Sequence, residues 1–137
     1  MDFLARREHT GKEIFSKLKN RVKSVELLKA EIDKLEEEGL IDNKRFAEQY
    51  IYSRSLRGYG PLRIEQELKQ RGVNGNISLP LMNDIDWTSF AIKVLEKKTA
   101  GIFPDETKQI LKIKKFLNYR GFDFNHIEQA FSSYKKT

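Results

Sequence analysis

The sequence predicts an all-α fold, and three observations lead to that prediction. Apolar residues recur at steps of three and four, as in Leu28, Ile32 and Leu35, which places them on one face of a helix. Residues that favour helix caps and helix ends bracket these runs. Alternating apolar and polar runs are absent, and the pair Asn74 and Gly75 lacks the apolar flanks of a β-hairpin.

Two helices are predicted before residue 40. Thr10 and Glu13 form a capping box ahead of Ile14, in which each side chain accepts a hydrogen bond from the other residue's backbone amide. Ser24 can cap the next helix, and Gly39 can end it by turning the chain. Both helices have one apolar face, so each needs a neighbour to cover it.

The central stretch predicts two further helices joined by a turn. Asp42 is a good cap for a helix that carries Phe46 and Tyr50 and runs to about Arg57. Residues 58–61, Gly-Tyr-Gly-Pro, break this helix. The proline of this turn suits the first turn of the next helix.

Two glycines are predicted to end later helices. Gly72 ends the helix that follows the turn. Asp105 opens a helix that carries Ile113 and stops at Gly121. A last helix carries Ile127, Ala130 and Phe131.

An internal repeat sets the predicted architecture. Residues 41–47 recur 44 positions later as residues 85–91, and each copy starts a helix with a capping Asp. Residues 68–73 recur as residues 117–122, where Arg lies at the helix end, Gly turns the chain and an apolar residue folds back. Three units stacked in series predict an elongated, solenoid-like array of about nine short helices, with a short first helix. The predicted units are residues 1–40, 41–84 and 85–137.

The charge predicts an anionic partner. The chain has 26 basic and 20 acidic residues, a net charge of +6 and a pI of about 9.5. Residues 44–73 carry seven bases against three acids and residues 93–137 ten against five, whereas residues 24–42 carry seven acids against two bases. A nucleic acid or an acidic protein surface fits this balance.

The sequence lacks the residues that several classes of function require. There is no cysteine, and His9 and His126 have no HExxH or EF-hand spacing, so no metal site is expected. No phosphate-binding glycine loop is present, which argues against a nucleotide cofactor and against an enzyme. No apolar stretch would span a bilayer and the start does not resemble a secretory signal, so a cytoplasmic protein without a membrane partner is expected.

The central stretch reads GLIDNKRFAEQYIYSRSLRGYGPLRIEQELKQRGV, from Gly39 to Val73. It resembles a known family, the RecX regulators of the bacterial recombinase RecA. The opening LARREHTGKEIFSKL, residues 4–18, is similar to the family's first repeat, and Arg-Gly-Phe at 120–122 matches its third. The resemblance therefore covers nearly the whole chain.

This resemblance implies both a fold and a mechanism. It implies three tandem three-helix repeats in a curved, elongated array, with no catalysis and no cofactor. It also implies that the protein binds the groove of the RecA filament on single-stranded DNA and blocks its extension or favours its disassembly. RecA is then the partner, DNA is a second candidate partner, and a monomer is expected.

Basic and aromatic residues concentrate around the turn at residues 58–61. Arg can make a forked contact with carboxylates or phosphates, and Tyr offers a rigid contact surface. The predicted residues for binding RecA or DNA are Arg54, Arg57, Tyr59, Arg63, Lys69 and Arg71.

Purely structural roles compete with this hypothesis. Tyr59 and Pro61 can pack locally within the turn, and Arg71 and Arg120 can bond the carbonyls at helix ends. Trp87 is expected to be buried where two units meet. The lysines at 112, 114 and 115 are expected to form a solvated face.

The sequence is also compatible with two other functions. Three-helix units with basic helices also describe direct DNA-binding regulators of the helix-turn-helix type. Here, however, the basic residues are spread along the chain and not collected on one recognition helix. A general adaptor for an acidic protein is the other alternative.

Overall fold

The computed structural model describes the backbone of residues 8–136 and the side chains of residues 8–134, and within this range all regular secondary structure is helical. The all-α prediction is confirmed for these residues. The short helix predicted before Thr10 falls on residues 1–7, outside the described part. The helices are α1 (Gly11–Leu18), α2 (Val25–Glu37), α3 (Asn43–Leu56), α4 (Pro61–Gln70), α5 (Gly75–Met82), α6 (Trp87–Thr99), α7 (Thr107–Tyr119) and α8 (Phe124–Lys136).

The predicted helix caps are confirmed. Thr10 and Glu13 form the capping box of α1, and the Ser24 side chain caps α2. Asp42 accepts hydrogen bonds from two backbone amides at the start of α3, at 3.0 and 3.1 Å. Asp86 accepts one at the start of α6, at 3.2 Å. These side chains pair amides that the helix itself leaves without partners, so local sequence fixes where these helices begin.

Two helices differ from the sequence-based expectation. Helix α7 begins at Thr107 and not at Asp105, because Glu106 has the extended backbone of the preceding cap residue. The apolar periodicity fixes the interior of this helix but not its first turn. Helix α5 was not delineated from the sequence, and the Asn74 side chain caps it through a 2.8 Å hydrogen bond.

The helices pack most extensively within three sets, α1 with α2, α3 with α4 and α5, and α6 with α7 and α8. The unit boundaries at residues 40/41 and 84/85 stay predictions. The buried side chains form two separate cores. The N-terminal core consists of Ile14, Leu28, Ile32 and Ile41. The main core extends over α3 to α8, and its fully buried members include Ile64, Leu68, Leu95, Leu117 and Phe122.

Trp87 is buried, as predicted, and it lies in the main core. Its side chain is 6% exposed, and its indole N–H donates a hydrogen bond to the carbonyl of Met82 at 3.1 Å. The ring packs against Phe90 at 5.9 Å between centroids. Because it is the only tryptophan, its fluorescence reports on the main core alone.

The two cores predict two separable unfolding events. Ile32→Ala is expected to destabilise the N-terminal core by about 2–4 kcal/mol, because it removes buried methyl groups and leaves a cavity. Helical signal in the far-ultraviolet circular dichroism should then be lost at a lower urea concentration, while the fluorescence midpoint of Trp87 stays nearly unchanged.

Leu117→Ala is the matched change in the main core, and it should move the fluorescence midpoint of Trp87 as well. If Ile32→Ala shifts both signals equally, the two cores unfold as one cooperative unit and the prediction is wrong.

Candidate interaction site around Tyr59

The turn between α3 and α4 docks onto the end of α7. Gly60 donates its backbone N–H to the carbonyl of Arg120 at 2.7 Å, and Leu62 donates to the carbonyl of Gly121 at 2.9 Å. A Cβ atom on Gly60 would overlap the backbone of Gly121, which itself has a φ of 103°. Glycine is required at both positions because the two backbones approach closely and one is left-handed.

Three guanidinium groups surround the Tyr59 ring. The Cζ atoms of Arg54, Arg63 and Arg120 lie 3.9, 4.6 and 4.7 Å from its centroid. At these distances the cations are attracted to the electron-rich faces of the ring. We call these four residues the Tyr59 cluster. It joins α3 and α4 to α7, so it links helices of the second and third predicted units.

Glu67 is the carboxylate of this site. Arg54 donates to both of its oxygens, at 3.0 and 2.9 Å, and Arg63 donates to one at 3.5 Å. The Tyr50 hydroxyl adds a bond at 3.0 Å. Burial alone would raise the pKa of Glu67, but the hydrogen bonds from Arg54 and Tyr50 outweigh it and hold the pKa below its usual value. Three cations against one carboxylate leave the site net positive.

Arg71 lies at a different junction. It donates to Glu13 of α1 at 2.8 Å, and its guanidinium lies 5.1 Å from the Tyr50 ring centroid. The hydroxyl of Thr10 donates to the backbone carbonyl of Arg71. Arg71 therefore connects the N-terminal core to the rest of the chain, through polar contacts.

The structure thus brings together part of the predicted set. Arg54, Tyr59 and Arg63 meet in the Tyr59 cluster. Arg57 does not join them, because α3 ends one residue before it and Arg57 lines a neighbouring groove. Lys69 is exposed on α4 and forms no hydrogen bond or ion pair with the described side chains.

Sequence reasoning missed two members of this site. Glu67 was not singled out, although its position four residues after Arg63 on one helix allows an ion pair. Arg120 was expected to bond a helix-end carbonyl, and it does so at 3.2 Å, but the carbonyl is that of Arg57 at the end of α3 and not one from its own helix. That long-range contact is visible only in the folded chain.

A basic groove lies beside the Tyr59 cluster, where the end of α3 faces α6 and α7. Its volume is about 330 Å³. Its apolar lining residues form what we call its floor, and among the described residues no acidic side chain lines it. The cations that line this basic groove are Arg57, Lys93, Lys97, Lys98 and Arg120.

Both histidines have local roles. His9 is buried beside Lys17, and His126 donates its backbone N–H to Asp123 at the start of α8. Among the described residues no group of His, Asp and Glu side chains is arranged to hold a metal ion. In the same part of the chain, every helix is too short or too polar to cross a bilayer.

The lysines at 112, 114 and 115 form a face that is only partly solvated. Lys114 donates to Glu128 at 2.8 Å and lies 5.3 Å from the Phe131 ring centroid. Lys112 and Lys115 are exposed, as predicted.

The fold and the site define a basic, all-helical protein in which short helices meet at arginine-rich turns. Comparison with known proteins identifies the class further. The family described as RecX, second three-helix domain, matches residues 42–77. The regulatory protein RecX of Pseudomonas fluorescens strain Pf-5 is 40% identical over 134 residues, which cover 96% of this chain and 86% of that protein. The Pseudomonas putida GB-1 protein of the same name is 41% identical over the same length. The chain therefore belongs to the RecX family of regulatory proteins.

Solved structures agree with this assignment. The crystal structure of RecX from Lactobacillus salivarius has a TM-score of 0.85 to this chain at 25% identity, and the match covers 99% of this chain and 92% of that one. A second crystal structure, of a regulatory protein RecX, has a TM-score of 0.80 to this chain at 22% identity, and the match covers 99% of this chain and 68% of that one. The second likeness supports the fold alone.

Glu67 predicts a pH-dependent contribution to stability. Because its pKa is lower in the folded protein than in the unfolded one, its contribution is fully present above the unfolded pKa and is lost as the pH falls through the folded pKa. Glu67→Gln should lower the free energy of unfolding at pH 7 by about 1–2 kcal/mol, since Arg54 and Arg63 lose the carboxylate that neutralises them. The difference from the wild type should shrink at acidic pH, as measured by urea unfolding.

Glu48→Gln removes an exposed carboxylate from α3 and is the control. A Glu67→Gln effect of equal size at all pH values, or no larger than that of Glu48→Gln, would contradict the assigned role.

Proposed function

We propose that this protein regulates the RecA recombinase by binding in the groove of the RecA filament on single-stranded DNA, where it blocks extension or promotes disassembly. The observation that carries the proposal is membership of the RecX family over 96% of the chain. In this proposal the protein acts as a cytoplasmic monomer, without a cofactor and without a catalytic step.

The proposed contact surface is the set of residues predicted from the sequence. Its members are Arg54, Arg57, Tyr59, Arg63, Lys69 and Arg71. Within it, Arg57 and Lys69 have exposed charges available for carboxylates or phosphates. The stacked and paired arginines hold the shape of the turn, so they present this surface in a fixed geometry.

Alanine at Arg54, Arg57 and Arg63 together is expected to weaken inhibition of RecA filament growth. Because Arg54 and Arg63 also neutralise Glu67, a second variant with Arg57→Ala and Lys69→Ala removes only exposed charges. About three- to tenfold more of this double variant should be needed for half-inhibition, since each lost contact is worth up to about 1 kcal/mol. RecA ATP hydrolysis on single-stranded DNA, titrated at substoichiometric ratios, measures this.

A variant with Lys44→Ala and Lys108→Ala loses the same charge from other exposed positions and is the control. Unchanged inhibition by the double and triple variants, with unchanged circular dichroism, would rule out this surface.

Direct DNA binding is the alternative function, and a binding comparison separates the two. Affinities for bare duplex, bare single strands and RecA-coated DNA should be measured over a range of salt concentrations. Preference for the coated strand supports regulation of the filament. Tight, sequence-selective duplex binding would support a DNA-binding regulator.

A further inference from the structure

The basic groove collects cations that have no counter-charge. Arg57, Lys93, Lys97 and Lys98 line it, and none of them forms an ion pair within residues 8–134. The half-buried arginines elsewhere behave differently, since each pairs with Glu67, Glu13 or Glu8. Cations gathered without a carboxylate repel one another, and an anionic ligand would relieve that repulsion.

The floor of the basic groove is apolar. Leu56 and Val94 line it together with the rings of Phe90 and Phe116. Leu56 is 60% exposed although it is a large aliphatic side chain. An apolar side chain from a ligand would bury this surface and gain hydrophobic free energy. The ligand that fits is therefore both anionic and apolar.

The aromatic rings of the basic groove are already covered by cations. Lys98 Nζ lies 4.4 Å from the Phe116 centroid, and Arg120 Cζ lies 5.0 Å from it. Lys93 Nζ lies 5.4 Å from the Phe90 centroid. Nucleobases bind single-strand-binding proteins by stacking on open ring faces, so a base here would have to displace these cations. Carboxylates can instead meet the cations where they stand, which favours a peptide.

The spacing of the lysines specifies the peptide further. Lys93 and Lys97 are one turn apart on α6, so their Cβ atoms are about 5–6 Å apart. Carboxylates at positions i and i+4 of a ligand helix have the same spacing. An apolar residue at i+3 of that helix lies beside them and faces the floor.

We propose that the basic groove binds an acidic, amphipathic helical segment of a partner protein, with carboxylates on Lys93, Lys97 and Lys98 and an apolar side chain on Leu56 and Val94. This inference goes beyond the proposed function, because it assigns a ligand to a groove that shares only Arg57 with the proposed contact surface. It assigns a ligand chemistry to lysines that the sequence did not single out.

The test uses the full chain and a fluorescein-labelled, alanine-based helical peptide with Glu at i and i+4 and Leu at i+3. Fluorescence anisotropy measures its binding. The variant with Lys93→Gln, Lys97→Gln and Lys98→Gln is expected to bind at least about tenfold more weakly, because both peptide carboxylates lose the lysines that pair with them. All three lysines are exposed, so the fold is expected to persist.

The matched control carries Lys19→Gln, Lys23→Gln and Lys34→Gln, three exposed lysines of the first predicted unit. It should bind within about twofold of the wild type, since the same net charge is lost far from the basic groove. An equal loss of peptide affinity in both triple variants would show that binding depends only on the net charge of the protein, and it would overturn the proposal.

The apolar floor has its own test. Leu56→Ser should weaken the leucine peptide by about three- to tenfold, and it should leave a peptide with Ser in place of Leu unaffected. Equal effects on both peptides would contradict a hydrophobic contact at this position.

Two other occupants are outcomes that overturn the proposal. Tighter binding of labelled oligothymidylate, lost in the groove variant, would assign the basic groove to nucleic acid. Self-association in sedimentation velocity, lost in the same variant, would assign it to a second copy whose acidic α2 fills it. Because RecA is absent from these measurements, a negative result leaves the proposed function untouched.

Discussion

The contact between the turn at residues 58–61 and the end of α7 is the constraint on which the site depends. Two backbone hydrogen bonds and a close approach of glycines fix the distance between these segments. Only then can guanidinium groups from three helix ends converge on the Tyr59 ring. The Tyr59 ring has only two faces for three guanidinium groups, so the position of each arginine restricts the positions of the others. The same contact places Arg57 and Arg120 on the wall of the basic groove.

Hydrophobic contact holds the helices of the main core together, whereas polar contacts link the N-terminal core to them. The main core runs through α3 to α8 and buries large side chains completely, so these helices depend on one another through hydrophobic contact. The N-terminal core is small, and its link to the remainder uses the Arg71–Glu13 ion pair and the Thr10 hydroxyl. Polar links of this kind contribute little net free energy, because each partner gives up its hydration.

The features that could be predicted from the sequence are those that depend on contacts between residues close together in the chain. The caps at Thr10, Ser24, Asp42 and Asp86 form because a side chain pairs amides only a few residues away. Long-range geometry could not be predicted in the same way. The contact between Arg120 and Tyr59 joins residues that are far apart in the chain. The repeated Leu-x-x-Arg-Gly motif predicted that Arg120 lies at a helix end, but it did not predict which residues Arg120 contacts. The separation of Arg57 from the Tyr59 cluster is likewise a feature of the folded chain, since Arg57 caps the end of α3 and lines the basic groove.

Charge pairing decides which basic residues are available to a partner. Arg54 already makes two charge-assisted bonds to Glu67, so diverting it to a new anion would leave a half-buried carboxylate without its strongest partner. The lysines of the basic groove face no such cost, because no carboxylate within residues 8–134 forms an ion pair with them. Binding an anion there removes repulsion and breaks no existing ion pair. The net positive charge of the chain is thus divided into arginines that build the junction and exposed cations that remain for recognition.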